Sequence, residues 1–268
     1  MNDANTCLAD PNERLDEVND DLSLIQRTDG LAFGTDALLL AAYLSSAGKF
    51  RTGLEIGGGT GIISLLLLSR GRIGEATSVE VQEEYARLTE RNAERNGLAD
   101  RLRSVCADVR DFRPGRTYDA VYTNPPYLKT TSGDPCVSDK REIARHEVFG
   151  TLFELLAAAG RLLRYGGTFA AVFLPERLAD LIEGMRRAGI EPKRATFVHS
   201  NAQSAPSSVL VLGRRGGKAA LSVTAPLLLY REEENKKYTE DMELILTHGR
   251  MPDRFGQKGA RYAKRGKE

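Results

Sequence analysis

Short apolar runs alternate with segments of helical length through the middle of the chain, and this alternation limits the possible folds more than any other feature. Five runs have the length and composition of strands, at residues 53–56, 75–79, 102–106, 118–123 and 168–173. Segments of helical length lie between them, at residues 62–69, 83–96 and 148–163. Strands and helices that alternate in this way form a parallel sheet with helices on both faces. We therefore predict an α/β fold.

Two further strands are predicted after this alternating region. A helix over residues 175–188, with proline in its first turn, is followed by apolar runs at residues 191–199 and 209–213. The connection over residues 200–208 is short and polar. A hairpin at this connection adds an antiparallel strand to an otherwise parallel sheet.

Several helix ends are also marked in the sequence. Residues 36–44 are rich in Ala and Leu and predict a helix, which Thr35 or Asp36 is placed to cap. Asn96-Gly97 and Gly166-Gly167 fall where helix C-caps are expected.

The two ends of the 268-residue chain differ in charge, although the net charge of the whole chain is only +1. Residues 1–21 hold seven acids and one base, whereas residues 249–268 hold seven bases and two acids. We predict an acidic N-terminal segment over residues 1–30, an α/β domain over residues 31–248 and a basic, flexible tail over residues 249–268.

Cysteine spacing and hydropathy exclude several classes of protein. Cys7, Cys106 and Cys136 are few, odd in number and widely spaced, which argues against a disulfide framework and a CxxC metal site. The acidic N-terminus has no apolar signal region, and the longest apolar run is too short to span a bilayer. We expect a cytoplasmic protein without a metal, and the sequence leaves its oligomeric state open.

A glycine-rich turn, Glu55-Ile56-Gly57-Gly58-Gly59-Thr60-Gly61, follows the first predicted strand and begins a helix. Its GxGxG spacing differs from the GxGxxG of dinucleotide sites, and it lacks the Lys-Ser/Thr pair of a P-loop. An acid at its start repels a pyrophosphate but suits a cationic amino-acid ligand, so we predict S-adenosylmethionine as the cofactor. The predicted contacts in this turn are Glu55, Gly57, Gly59 and Gly61. A purely structural glycine turn is the alternative.

Two acids follow the next two strands at positions that suit the same cofactor. Glu80, with Val81 beside it, ends the second strand, where a carboxylate can accept hydrogen bonds from both ribose hydroxyls. Asp108, with Val109 beside it, follows the third strand, where it can accept the adenine amino proton. Either acid alone could be an exposed strand-end charge. Their order along successive strands favours one shared ligand site.

The fourth strand leads into Asn124-Pro125-Pro126-Tyr127, which we predict to be the catalytic group. The lone pair of an aromatic amine is delocalised into its ring, so a catalyst must orient the two N–H groups. The Asn124 side-chain oxygen and the Pro125 carbonyl can accept them, and Tyr127 offers a ring for stacking. Asn124 also lies beside the predicted cofactor. A simple turn is the alternative, because two prolines favour one.

These motifs resemble those of class I S-adenosylmethionine-dependent amino-methyltransferases, and in particular the bacterial tRNA1(Val) (adenine(37)-N6)-methyltransferase family. Further matching segments are Arg14-Leu15-Asp16, Leu24-Ile25-Gln26, residues 33–41, residues 143–147, residues 191–194 and Phe197-Val198-His199. The resemblance implies a Rossmann-like class I methyltransferase fold, with a seven-stranded, mostly parallel sheet, an antiparallel last strand and helices on both faces. It also implies methylation of the N6 of the adenosine 3′ of the anticodon.

The same resemblance implies further site residues. Phe33 and Thr35 are candidate cofactor contacts. The candidate contacts to the tRNA substrate are Tyr127, Lys129, Arg145, His146, Lys193 and Arg194. One departure is Glu55, where many relatives carry Asp. Another is the basic tail after residue 249, which the resemblance does not explain.

Three other functions remain open at the level of sequence. The same tetrapeptide can serve methylation of a release-factor glutamine, although the short N-terminal segment leaves little room for a protein-recognition domain. Methylation of DNA or ribosomal RNA adenine is a second alternative, for which we find no separate recognition domain. A non-catalytic RNA-binding module with a vestigial cofactor site is the third.

Overall fold

The computed structural model describes residues 8, 10–29, 33–125, 152–231 and 237–256. Its strands are β1 (Glu13–Asn19), β2 (Leu22–Arg27), β3 (Phe50–Ile56), β4 (Ile73–Glu80), β5 (Leu102–Cys106), β6 (Tyr118–Thr123), β7 (Leu163–Phe173), β8 (Ile190–His199), β9 (Pro206–Arg215), β10 (Ser222–Val223) and β11 (Leu227–Leu228). Its helices are α1 (Thr35–Ser45), α2 (Ile62–Ser69), α3 (Glu83–Arg95), α4 (152–162), α5 (Leu178–Arg187) and α6 (Glu240–His248). Short 3-10 helices cover Pro175–Arg177 and Asp253–Phe255.

The central sheet has the order β5-β4-β3-β6-β7-β9-β8, with β10 and β11 pairing with β8 at its edge. Neighbouring strands from β5 to β7 are parallel, whereas β9 is antiparallel to both β7 and β8. The predicted mostly parallel sheet with an antiparallel last strand is therefore confirmed. The two added edge strands have two residues each, too few to give a pattern in the sequence.

Apolar residues cover both faces of this sheet. One core cluster joins α1, α2 and α6 to one face, and a second joins α4 and α5 to the other. The sequence of α2, IISLLLLS, is apolar all round, and its first seven residues are buried. Each leucine buried in this way stabilises the fold by about 1.5–3 kcal/mol before the loss of chain entropy is counted.

The N-terminal hairpin, formed by β1 and β2, was not predicted as a structural element. Its two strands are antiparallel, and β2 lies against α3 and α2. Leu22 and Leu24 are buried in the first core cluster, while the acids of the turn, Asp20 and Asp21, are both exposed. The acidic composition of this segment thus belongs largely to the outer side of a packed hairpin.

Two local predictions are corrected, one about the end of a helix and one about the C-terminal tail. Gly166, with a φ of 73°, lies inside β7 beside an irregularity in the β6–β7 pairing, and α4 ends earlier, at residue 162. Residues 249–256 do not form a flexible tail, because Met251 and Phe255 are buried in the first core cluster. Residues 257–268 lie outside the described residues. Among the described helices, none combines the length and apolarity needed to cross a membrane.

Candidate functional site at the carboxyl edge of the sheet

Four predicted motifs meet at the carboxyl edge of neighbouring parallel strands. Ile56, the last residue of β3, is in register with Val79 of β4 and with Thr123 of β6. Glu80 of β4 is in register with Cys106 of β5. The segments that follow these strands, including Asn124, therefore lie side by side, as expected for a ligand site of a doubly wound sheet.

The turn over residues 57–61, called here the glycine loop, uses its glycines in two different ways. Gly57 and Gly59 have φ values of 69° and 54°, and a Cβ on either would meet open space within 4 Å. Gly58 and Gly61 are packed instead, because a Cβ on Gly58 would lie 1.8 Å from the Ser78 Oγ and one on Gly61 2.8 Å from the Thr89 side chain. The first pair leaves backbone accessible to a ligand, and the second pair lets the loop sit close to its supports.

Glu80 supports this loop from β4. One of its carboxylate oxygens accepts the Gly59 N–H and the other accepts the Gln82 N–H, each at 3.0 Å. The residue is only 6% exposed. An ionised carboxylate offers about four acceptor positions, so roughly two remain for the hydroxyls of a ligand.

Glu55, predicted as a cofactor contact, lies under the glycine loop, where its carboxyl carbon is 3.9 Å from the place of a Cβ on Gly58. It is 1% exposed, and one carboxyl oxygen accepts hydrogen bonds from the Ser64 N–H, at 3.1 Å, and from the Ser64 hydroxyl. The Ser64 and Tyr122 hydroxyls are 2.7 Å apart. Burial raises the pKa of Glu55 to about 8, against the lowering effect of the Ser64 hydrogen bonds. Glu55 therefore fixes the start of α2 mainly as a neutral acid at pH 7.

Asp108 is already hydrogen-bonded at the position predicted for the adenine. It accepts hydrogen bonds from the Arg110 backbone N–H and guanidinium, and Arg110 also pairs with Glu154 of α4 at 2.9 Å. The hydrogen bond from the Arg110 side chain lowers the pKa of Asp108, so this carboxyl is ionised at neutral pH. Val109 packs against the second core cluster, whereas Val81 is 65% exposed at the edge.

Asn124 carries an unusual buried acceptor. Its Oδ1 is shielded from solvent and has no hydrogen-bond partner among the described residues. The preceding residue is fixed, because the Thr123 hydroxyl donates to the Ile56 carbonyl at 2.9 Å. Buried polar atoms are nearly always paired in folded proteins, so an unpaired oxygen at a ligand-binding edge fits an acceptor that a ligand satisfies. Pro125 is half-buried beside it.

The rest of the predicted site is described only in part. Phe33 is partly buried against the first core cluster, and its backbone N–H donates to Gln26 Oε1 at 2.8 Å. Thr35 begins α1 and is half-buried. The predicted residues Pro126, Tyr127, Lys129, Arg145 and His146 lie outside the described residues.

Lys193 and Arg194, predicted as substrate contacts, lie away from this edge, so the structure does not bring them together with the other predicted site residues. The Lys193 ammonium donates to the carbonyl of Lys218, which follows β9, at 2.7 Å. This contact lies at the opposite edge of the sheet, where the parallel strands begin. Arg194 is 4% exposed, donates to the Phe255 carbonyl and lies 4.4 Å from the centre of the Tyr43 ring. An arginine held in this way anchors residues 253–256 to the core.

Sequence reasoning missed the polar side chains that hold the glycine loop from α3. The Thr89 hydroxyl donates to the Gly59 carbonyl at 2.8 Å, and Asn92 Nδ2 donates to the Thr60 carbonyl at 3.0 Å. Both side chains are fully buried. The available signal was a pair of polar residues at helical spacing, Thr89 and Asn92, among buried Ala86 and Ala93, with Asn96 next at the C-cap.

Solved structures share this fold. A protein described as a predicted O-methyltransferase, from Agrobacterium tumefaciens, has a TM-score of 0.63 and 20% identity, over 79% of this chain and 95% of its own. A methyltransferase from Pyrococcus furiosus has a TM-score of 0.54 and 20% identity, over 73% of this chain and 90% of its own. At these identities the likeness concerns the fold alone, and it confirms the Rossmann-like class I methyltransferase fold.

Sequence comparisons give the family. Residues 28–178 match the methyltransferase small domain family. The tRNA1(Val) (adenine(37)-N6)-methyltransferase of Tolumonas auensis is 31% identical over 79% of this chain and 86% of its own length. The protein of the same name from Klebsiella pneumoniae is 32% identical over 66% of this chain and 73% of its own. The chain therefore belongs to the methyltransferase small domain family and, within it, to the tRNA1(Val) (adenine(37)-N6)-methyltransferase family.

Proposed function

We propose that this protein methylates the N6 of an adenosine in tRNA with S-adenosylmethionine, and that the target is the adenosine 3′ of the anticodon of tRNA1(Val). The observation that carries the chemistry is the buried Oδ1 of Asn124 just after β6, beside the glycine loop, which has no hydrogen-bond partner in the part of the chain that the structure describes. The names of the relatives support tRNA as the partner and adenosine 37 as the target. A tRNA substrate also implies that the enzyme works in the cytoplasm.

The residues at the carboxyl edge fit the cofactor. The open backbone at Gly57 and Gly59 leaves room for its amino-acid part, and the remaining acceptor positions of Glu80 suit its ribose hydroxyls. Asp108 suits its adenine, provided that the Arg110 guanidinium gives up one of its hydrogen bonds to this carboxylate. When bound, S-adenosylmethionine supplies a methyl group made electrophilic by a positive sulfur.

Asn124 and Pro125 orient the acceptor nitrogen. One N–H of the adenine amine donates to Asn124 Oδ1, and the other donates to the Pro125 carbonyl. With both protons held, the nitrogen lone pair turns out of conjugation with the ring and towards the methyl group. This contribution is mainly positioning. Because the methylated nitrogen is strongly acidic, its extra proton passes to water, and the mechanism needs no strong base.

A glutamine side-chain amide of a protein also has an NH2 group that Asn124 could hold, so the local chemistry alone selects an amine and not a particular molecule. The family to which the chain belongs favours adenosine in tRNA. An acceptor without a partner among the described residues costs about 1–3 kcal/mol, which favours a site where a bound ligand satisfies it.

The direct test uses purified protein, S-adenosylmethionine with a labelled methyl group, and tRNA from cells that lack this modification. We expect label in N6-methyladenosine at position 37 of tRNA1(Val). In the Asn124→Ala variant, we expect methyl transfer to fall by about a hundredfold or more while the affinity for S-adenosylhomocysteine stays within about twofold. Label on protein, on another base or at another position would refute the assignment, and full activity of Asn124→Ala would refute the mechanism.

A further inference from the structure

Asn92 lies in α3, is fully buried and hydrogen-bonds to two separate parts of the chain. Its Oδ1 accepts the Ile25 N–H of β2 at 2.7 Å, and its Nδ2 donates to the Ile25 carbonyl at 3.1 Å. The same Nδ2 also donates to the Thr60 carbonyl of the glycine loop at 3.0 Å. Both amide protons are thus used, one towards the hairpin and one towards the loop.

The glycine loop depends on such contacts because its own backbone is unusually free. Gly57, Gly59 and Gly61 all have positive φ values, a region that glycine enters readily but that does not fix the loop by itself. The loop is held by Thr89 and Asn92 through its carbonyls and by Glu80 through the Gly59 N–H. Loss of the Asn92 contact leaves the buried Thr60 carbonyl without this donor.

The hairpin has a second connection to the predicted cofactor side. Gln26, 1% exposed, accepts the Phe33 N–H at 2.8 Å, and its amide donates to Asp16 of β1. The hairpin therefore holds the chain just before α1 through Gln26 and meets the glycine loop through Asn92. Phe33 is itself a candidate cofactor contact.

Asn96, the C-cap residue four positions after Asn92, provides a matched comparison at the end of the same helix. Its Oδ1 accepts the Ser23 N–H at 3.0 Å, and its Nδ2 donates to the Ser23 carbonyl at 2.8 Å. The second bond of its Nδ2 goes to the Asn92 backbone carbonyl and not to the glycine loop. The two asparagines thus bind the hairpin in the same manner, and only Asn92 also binds the loop.

We propose that Asn92 is a positioning residue that couples the N-terminal hairpin to the glycine loop, so that docking of the hairpin strengthens cofactor binding and cofactor binding strengthens docking of the hairpin. The identity of the ligand rests on the proposed function. The coupling is reciprocal by thermodynamic necessity, because both events favour the same arrangement of the Asn92 amide.

The first measurement is the affinity for S-adenosylhomocysteine, by isothermal titration, of the full-length wild type, Asn92→Ala and Asn96→Ala. We expect Asn92→Ala to bind about tenfold more weakly and Asn96→Ala to stay within about twofold of the wild type. In steady-state kinetics, the KM for S-adenosylmethionine should rise by a similar factor in Asn92→Ala, with kcat unchanged at saturation. Thr89→Val removes a contact to the glycine loop and leaves the hairpin contacts in place. This variant should also bind S-adenosylhomocysteine more weakly, and it keeps the test available if Asn92→Ala does not fold.

The second measurement follows hydrogen exchange of the Ser23 amide, which is bonded to Asn96 and so keeps its acceptor when Asn92 is changed. In the wild type, S-adenosylhomocysteine should slow this exchange, because the ligand stabilises the docked hairpin through Asn92. In Asn92→Ala, the ligand should slow this exchange much less than in the wild type, because only the connection through Gln26 to Phe33 remains. A purely structural role of Asn92 would lower stability without reducing this effect of the ligand.

Equal affinities of Asn92→Ala and Asn96→Ala, or equal slowing of the Ser23 amide in the wild type and Asn92→Ala, would refute the inference while leaving the proposed function intact. Failure of the wild type to bind S-adenosylhomocysteine would refute the proposed function and, with it, this role of Asn92. Binding without methyl transfer to tRNA would refute only the function, because the coupling is read from ligand affinity and amide exchange.

Discussion

The replacement of Glu55 by Gln tests the structure most directly, because it removes an ionisable group from the centre of the fold with little change in shape. Glu55 is completely enclosed beneath the glycine loop and bonded to Ser64. An amide oxygen can accept the same hydrogen bonds from Ser64. The variant should therefore keep the fold and differ from the wild type chiefly in its response to pH.

The size of the effect follows from the pKa of Glu55, which burial raises from 4.5 to about 8. Between these two values the unfolded chain has lost the proton and the folded protein retains it. Stability then falls by about 1.4 kcal/mol for each pH unit. The contribution of the neutral acid is fully present below pH 4.5 and is lost as pH rises through about 8, to a total on the order of 5 kcal/mol.

The assay is urea denaturation of the wild type and Glu55→Gln at about pH 5, 6.5 and 8. The difference in unfolding free energy between the two proteins cancels most other titrating groups. We expect this difference to shift by roughly 4 kcal/mol in favour of Glu55→Gln from the lowest to the highest pH. Glu94→Gln, which changes an exposed carboxylate of α3, serves as the control and should follow the wild type. Parallel pH curves for the wild type and Glu55→Gln would refute the buried, neutral Glu55.

Two further predictions concern Gly58 of the glycine loop and Arg194 of the core. Gly58→Ala should weaken S-adenosylhomocysteine binding by about tenfold in isothermal titration, because its Cβ would lie 1.8 Å from the Ser78 Oγ. Adding Ser78→Ala should restore part of this affinity, and no recovery in the double variant would contradict the contact. Arg194→Met should lower the unfolding free energy by roughly 2–3 kcal/mol in urea denaturation, because it removes the hydrogen bond to the Phe255 carbonyl. The affinity for tRNA should stay unchanged. A loss of tRNA affinity without a loss of stability would instead support Arg194 as a substrate contact.

The parts of the fold that the sequence predicts are those with a local pattern. The five alternating strands from β3 to β7 show themselves as apolar runs, and the glycine loop follows directly from the first of them. Parallel pairing then places Glu80 and Asn124 at one edge without knowledge of any side-chain contact. This is why the meeting of these motifs at one edge could be predicted from sequence, whereas the side-chain contacts among them could not.

The side of a strand on which a residue lies is harder to predict. The pairing of β8 with β9 shifts between Pro192 and Arg194, and Arg194 points into the core while Lys193 reaches the opposite edge from the site. A basic pair near a family motif looks like an RNA contact in sequence. Only the packing of residues 253–256 shows that Arg194 has a buried carbonyl as its partner.

The hairpin, and the asparagines of the α3 region that bind it, were missed for a related reason. The acids of β1 hide the apolar side of a two-stranded element, whose stability comes from contact with α3 across more than sixty residues of sequence. Asn92 looks like an ordinary polar position of an exposed helix, whereas burial against two backbone segments gives it its role.

The hydrogen bonds of the carboxyl edge separate the task of holding the loop from the task of orienting the substrate. In the described residues, the carbonyls of Gly59 and Thr60 and the N–H of Gly59 are all bonded to buried side chains, so the glycine loop is held before any ligand arrives. The Oδ1 of Asn124 has no such bond to any residue that the structure describes, at a cost of about 1–3 kcal/mol. An amine that donates a hydrogen bond to this oxygen recovers that cost on binding, and its second N–H can reach the Pro125 carbonyl. A substrate methylated on a hydroxyl or on carbon offers at most one polar proton at the reacting atom for these two oxygens. Under the proposed function, an NH2 group is favoured because it can donate one proton to Asn124 Oδ1 and the other to the Pro125 carbonyl.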